Sequence, residues 1–222
     1  MAPHAGLAPP GPDEVHVWAV RLDVDPSRVR ARERSLPPAE RRRAAGYRRQ
    51  PRKLRYVARQ LAVRALVERY GDHPLELSVS DSHDLALVAV VTRRRVGVDV
   101  EWANGRRHGE RIARRLYSRD EQQALSRLAG DAAHEELLRR WTAREAWCKA
   151  AGVTLGRTLR LFAAGEITVD GLERGDGGWT LQPLDVERRY VASLVVAADA
   201  RPVVCLRWLE PSSGLAPAVA VR

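Results

Sequence analysis

From Val15 onward the chain passes twice through the same order of patterns: one strand, then helices, then more strands. The first pass opens on "VHVWAVRL" (Val15–Leu22). Helical segments follow near Pro26–Arg34 and Pro37–Tyr47, then the longer "PRKLRYVARQLAVRALVERYG". In that segment Pro51 suits a first turn, Leu54, Val57, Leu61 and Ala65 form an apolar stripe, and Gly71 is a stop. "LELSVS" and "LALVAVV" are two strands around the turn-like "DSHD". The second pass opens on "RRRVGVDVEWANG" (Arg93–Gly105). A helix begins at Ser118, whose partner Glu121 stands in capping-box spacing. A longer helix covers about Ala132–Ala151 and ends at Gly152. "EITV", "WTLQPL", "YVASLVVAA" and "PVVCLRWL" then read as strands. This order predicts an α+β fold built as a pseudo-dimer: two similar α/β halves, each with an antiparallel sheet packed on a long helix. The expected boundaries are a disordered arm over 1–14, an N-terminal half over 15–93, a C-terminal half over 94–210 and a loose tail over 211–222. No residue-level repeat accompanies the architectural one.

A chain of 222 residues, 45% hydrophobic and 30% charged, can bury a sizeable core. The net charge of +10 permits a polyanionic ligand or an acidic protein partner. Of the 38 basic residues only Lys53 and Lys149 are lysine, and so strong an arginine skew fits a GC-rich coding background. No helix-turn-helix, zinc or RNA-recognition signature is present, so nucleic-acid binding is a remote alternative and no nucleic-acid partner is expected. Cys148 and Cys205 make neither a disulfide framework nor a zinc spacing. No apolar run reaches the length of a membrane span, and the opening "MAPHAGLAPPGPDE" lacks signal-peptide features. A cytoplasmic protein with no membrane partner is expected.

Side chains of a strand alternate between faces. Val96, Val98 and Val100 therefore share one face, and Gly97, Asp99 and Glu101 share the other. Two carboxylates on neighbouring same-face positions repel each other unless a cation joins them. Mg²⁺ often takes only one or two carboxylates together with substrate phosphates, and Gly97 leaves that face open to a close approach. The plainer reading is a strand end whose acids reach solvent. In "WTAREAWCKAAG" (Trp141–Gly152), helical spacing stacks Trp141, Glu145 and Lys149 at steps of four. Glu145 is a candidate third ligand or general base, and Lys149 a candidate phosphate partner. The plainer reading is an ordinary i,i+4 ion pair. Lysine in a chain that otherwise uses arginine favours a specific role, because a compact ammonium differs from a planar fork. Arg48, Arg52, Arg55 and Arg59 would line one face if the helix extends back that far. Such a stripe is either a solvated face or an anion site.

Together "GVDVE" (Gly97–Glu101) and "WTAREAWCKAAG" resemble the paired motifs of the 4′-phosphopantetheinyl transferase superfamily, in its long, pseudo-dimeric, surfactin-synthetase-activating form. Those motifs are G-(I/V)-D-(I/V)-E on a strand and W-x-x-(K/R)-E-A-x-x-K-x-x-G on a helix. "RRLYSRDE" between them is similar to the family's R-F-F-(S/T)-x-x-E. The resemblance runs from about Val15 to Phe162. It implies transfer of the 4′-phosphopantetheine arm of coenzyme A to a serine of an acyl or peptidyl carrier protein, with release of adenosine 3′,5′-bisphosphate. It implies Mg²⁺, with Mn²⁺ as an alternative, on Asp99, Glu101 and Glu145. Glu145 and Lys149 would be catalytic, Lys149 also holding the pyrophosphate. Arg55, Arg48, Ser80 and Asp81 would lie toward the coenzyme. Polyketide or nonribosomal peptide synthesis is the implied setting, and a monomer is expected if the two halves already make the interface of single-domain relatives.

The chain departs from the family pattern upstream. Where the family has S-H-S, this sequence has Ser80-Asp81-Ser82, with His83 two places from the histidine position. An aspartate there would repel phosphates. The family's longer connection with Y-G-K-P is shortened to "YGDHP" (Tyr70–Pro74), with no lysine, and Thr154 stands where many members have glycine. These departures keep a second expectation in view, a non-transferring relative that binds carrier protein or a coenzyme fragment.

Overall fold

The computed structural model describes residues 6–103, 117–197 and 202–209. The described elements run β1 (Glu14–Arg21), α1 (Pro26–Glu33), α2 (Pro38–Ala45), α3 (Gln50–Tyr70), β2 (Glu76–Ser82), β3 (Leu85–Val91) and β4 (Val96–Trp102). They continue with α4 (Arg119–Ser126), α5 (Gly130–Ala151), α6 (Leu155–Ala163), α7 (Val169–Arg174), β5 (Trp179–Leu184), β6 (Tyr190–Ala197) and β7 (Val203–Leu209).

The two halves repeat each other in topology. The first sheet contains the order β2-β3-β1 and the second has β5-β6-β4, so each half is one strand, a long helix and a hairpin whose second strand pairs back onto the first. All of these pairings are antiparallel. The long helices are α3 of 21 residues and α5 of 22. The α+β pseudo-dimeric arrangement read from the sequence is the fold observed.

Apolar alternation explains the layering. Trp18, Val20, Ala86, Val88 and Val90 turn to α3 and meet Val57, Ala62 and Leu66. Val15, Val17, Ala19, Leu85, Leu87 and Ala89 turn the other way and meet Val96, Val98, Val100, Leu194 and Val196 of the second sheet. Across that sheet, Leu181 and Val195 meet Ala143, Ala146 and Trp147 of α5. The molecule is four layers, helix–sheet–sheet–helix, and both sheets are buried on both faces, which is why β3 reads as an unbroken apolar run.

Three local readings differ from the structure. "EITV" is not a strand: the Thr168 hydroxyl accepts from the Gly171 N–H and caps α7 instead. The segment after Gly152, to which the sequence patterns assign no element, forms α6, capped by Thr154. "PVVCLRWL" is a strand, but it pairs in parallel with β1, adding an edge to the first sheet rather than to its own half. The arm expected over 1–14 is docked from residue 6 in its described part. The Leu7 N–H donates to the Arg69 carbonyl at 2.8 Å, and Leu7 packs on the α3 core. Residues 1–5 and the tail expected over 211–222 lie outside the described residues. Among the described residues no helix is long and apolar enough to cross a membrane.

Candidate active site

The site forms where β4 faces α5, and glycine makes the contact close. A Cβ built on Gly97 would lie 1.9 Å from the Ala146 carbonyl oxygen and 2.7 Å from the Ala150 nitrogen. The open face expected at Gly97 is therefore filled by the backbone of α5, not by a ligand. Ala143, Ala146 and Ala150 keep the helix side equally thin. This approach brings the residues spaced by four on α5 against the acids of β4.

Alternation on β4 is as the sequence predicts. Val96, Val98 and Val100 enter the core between the sheets. Asp99, only 5% exposed, meets Lys149: the ammonium donates to Asp99 Oδ1 at 2.8 Å and to the Val98 carbonyl at 3.0 Å. The Ser80 hydroxyl donates to the same Oδ1 at 2.7 Å. Asp99 Oδ2 is buried with no hydrogen-bond partner. Glu101 accepts from Ser82 Oγ at 2.9 Å and from the Trp141 side chain. Glu145, half-buried on α5, is within electrostatic range of both acids and of Lys149.

Burial raises the Asp99 carboxyl above its ordinary range, outweighing Lys149 and Ser80, which pull it down. Glu101 is raised by burial and by the neighbouring Asp99 charge. Glu145 is raised by burial, then by Asp99 and Glu101, against Lys149. Three carboxyls held up by desolvation, two of them also by a neighbouring carboxylate, favour an added cation. Among the described residues, however, no three His, Cys, Asp or Glu side chains converge in metal-ligand geometry. The donor set suits a hard ion that also takes ligand oxygens and water, since Mg²⁺ rarely uses an all-protein cage. The bare Oδ2 is the oxygen that would gain most from it.

The helix is anchored from behind. Arg144 is fully buried, donates to Glu121 Oε1 at 2.5 Å and stands over the rings of Tyr117 and Phe162. Arg140 reaches the same Glu121 oxygen at 3.1 Å. Glu121 closes the predicted capping box with Ser118, so one residue starts α4 and ties it to α5.

Asp99, Glu101, Glu145, Lys149 and Ser80 are thus brought together. Arg48, Arg55 and Asp81 have their places elsewhere. α3 starts at Gln50, so Arg48 precedes the helix and the four-arginine stripe does not form as one face. Arg55 makes a two-pronged pair with Asp23 at 2.8 and 3.1 Å. Asp81, on the opposite face of β2 from Ser80, pairs with Arg59. His83 takes a left-handed backbone (φ 54°) in the β2–β3 turn, hydrogen-bonds Asp84 at 2.6 Å and stacks on Trp102 at 3.8 Å between centroids. Sequence reasoning missed Ser82 and Trp141 as partners of Glu101. The alternation S-x-S-x-S in "LSVSDS" was the available signal for the serines.

Comparison with known proteins agrees with this geometry. Residues 95–197 match the description "4′-phosphopantetheinyl transferase superfamily", a span that holds β4, α5 and all four charged site residues. The chain is also similar to the 4′-phosphopantetheinyl transferase HetI of Nostoc sp., 24% identical over 209 residues, covering 83% of this chain and 88% of that protein. The strand and helix motifs that meet face to face at β4 and α5 both lie inside the span that is similar to the 4′-phosphopantetheinyl transferase superfamily.

Proposed function

We propose that this protein transfers the 4′-phosphopantetheine arm of coenzyme A to a serine of an acyl or peptidyl carrier protein. The observation that carries the reading is the Lys149–Asp99 contact at 2.8 Å beside Glu101 and Glu145, one cation among three acids on a strand–helix seam. Such transfer is mostly positioning and charge stabilisation, which is what this set of residues offers.

The serine oxygen attacks the phosphorus that bears the pantetheine. The bond from that phosphorus to the bridging pyrophosphate oxygen breaks, and adenosine 3′,5′-bisphosphate leaves. Glu145, its carboxyl raised above its ordinary range by burial and by the neighbouring acids, takes the serine proton. Lys149 stands next to the acids and meets the pyrophosphate, neutralising charge on the leaving oxygen. Asp99, Glu101 and Glu145 would hold Mg²⁺, which when bound adds charge neutralisation at the pyrophosphate. A basic chain meeting an acidic carrier protein would gain in encounter rate. Because both halves are in one chain, the proposed working unit is a monomer in the cytoplasm, and polyketide or peptide assembly its setting.

A second reading has its own observation. Asp23 already neutralises Arg55, an arginine expected toward the coenzyme, and Asp81 neutralises Arg59 one turn further along α3. A chain whose arginines are spent in this way would bind carrier protein without transferring the arm. Mass spectrometry of several apo carrier proteins after incubation with coenzyme A and Mg²⁺ separates the two. Addition of the arm supports transfer. Unmodified carriers with every metal and carrier tried would sink it, and carrier binding without modification would leave the second reading standing.

A further inference from the structure

The serines of β2 form a side-chain ladder to β4 that the proposed chemistry does not use. β2 and β4 are edge strands of different sheets, and each turns an unpaired edge to the other. Ser78, Ser80 and Ser82 occupy alternate positions on the face of β2 toward β4. Ser78 Oγ accepts from the Val98 N–H at 3.0 Å. Ser82 Oγ accepts from the Trp102 N–H at 3.1 Å. Hydroxyls thus replace the strand that β4 lacks on this side.

A hydroxyl has a single proton. Where its oxygen is held by a backbone N–H, that proton is aimed, and at Ser82 it is aimed at Glu101 Oε2, 2.9 Å away. Ser80 sends its proton to Asp99 Oδ1, which also takes Lys149. Oδ1 is then saturated and Oδ2 is left bare in a buried place.

We infer that Ser80 and Ser82 are positioning residues that select which carboxylate oxygens of Asp99 and Glu101 stay free for a divalent cation. This rests on the reading of the site as a metal-assisted transferase, but assigns the serines to the acids rather than to coenzyme phosphates. The seam thereby couples the first half of the fold to the ligand set of the second.

Ser78 supplies the control, because it makes the same kind of seam bond and touches no carboxylate. The measurement is Mn²⁺ affinity by water-proton relaxation, with coenzyme A present, for Ser78→Ala, Ser80→Ala, Ser82→Ala and Ser82→Thr, alongside melting temperature and transfer kinetics. Outer-shell partners of metal ligands typically contribute about 10–100-fold in metal affinity. Ser80→Ala and Ser82→Ala are expected to lose that much, with Ser82→Thr restoring it and Ser78→Ala unchanged. In transfer assays the first two should need more metal while the KM for coenzyme A stays the same. Equal losses in all three alanine variants would reduce the serines to seam stability and overturn the inference, as would no loss in any. Absence of Mn²⁺ binding by the wild type would overturn it as well. If Ser80→Ala does not fold, the Ser82→Ala and Ser82→Thr pair decides. Failure of the wild type to modify any carrier would sink the proposed function instead, and the ranking of Mn²⁺ affinities would still decide the role of the serines.

Discussion

Replacing Gly97 with alanine should damage both stability and the site, and the size of the effect follows from one contact. The added Cβ would fall 1.9 Å from the Ala146 carbonyl oxygen, where real Cβ atoms keep at least 3.0 Å. The obstacle is helix backbone, so no side chain can swing aside. α5 must withdraw from β4 by about 1.1 Å to reach that limit, the shortfall between the two distances. Overpacking of this kind costs about 1–3 kcal/mol. In a chain of this length each kcal/mol is worth roughly 2–4 °C in melting temperature, so a fall of about 2–12 °C is expected. The withdrawal also stretches the 2.8 Å contact from Lys149 to Asp99 beyond hydrogen-bond range. Misplacing catalytic groups by about 1 Å can reduce turnover on the order of 100-fold. Differential scanning fluorimetry and a carrier-modification assay, run on Gly97→Ala and on Gly156→Ala, test this. A methyl added at Gly156 would have nothing within 4 Å, so that change should be tolerated. A Gly97→Ala protein that melts with the wild type and keeps its activity would refute the idea that glycine sets the strand–helix distance.

Glu121→Gln removes the charged partner of fully buried Arg144 and should cost about 3 kcal/mol or more in urea unfolding; a change under about 0.5 kcal/mol would mean the pair is structurally idle. Lys149→Arg should not restore the activity lost in Lys149→Ala, because a planar fork does not reproduce the paired contacts to Asp99 Oδ1 and the Val98 carbonyl; carrier-modification rates read this directly. In metal-free protein, Glu145→Gln should raise the melting temperature at neutral pH. A carboxyl whose folded value lies above 4.5 favours the fold when protonated and loses that contribution as pH rises, so the gain should vanish as pH falls toward 4.5. Asp84 is the opposite case. Burial pushes its carboxyl up, but hydrogen bonds from His83 and Tyr190 outweigh burial and bring it from 3.8 to about 2. Its stabilisation is therefore present above pH 3.8 and is lost as pH falls through 2. Asp84→Asn should then destabilise at neutral pH by about 1 kcal/mol after allowance for solvent screening, with the difference gone near pH 2 in acid-unfolding curves.

Local periodicity carried much of the fold, and tertiary pairing explains the remainder. The alternation in "VGVDVE" placed the valines and the acids on the correct faces, because a strand has only two. Steps of four in "WTAREAWCK" put Trp141, Glu145 and Lys149 on one side of α5, where all three meet β4. What neither pattern could tell is what lies opposite. Gly97 marked a close approach, but the visitor is the helix itself, a contact across about 50 residues of sequence. β7 was legible as a strand, while its parallel partner β1 lies at the other end of the chain. "EITV" has the composition of a strand, yet the Thr168 hydroxyl accepts from the Gly171 N–H and caps a helix that starts inside it. Arg55 and Arg59 looked available for an anion because periodicity does not reveal that Asp23 and Asp81 reach them.

The central claim is that Glu145, held beside Asp99, Glu101 and Lys149 at the strand–helix seam, takes part in moving the pantetheine arm. Its most direct test is wild type against Glu145→Gln, assayed by mass spectrometry on an apo carrier protein with coenzyme A and Mg²⁺, with coenzyme binding measured in parallel. The account predicts a modified carrier serine with wild type, and with Glu145→Gln a rate lower by about 100-fold or more while coenzyme A still binds. A Glu145→Gln protein that modifies the carrier as fast as wild type would contradict it.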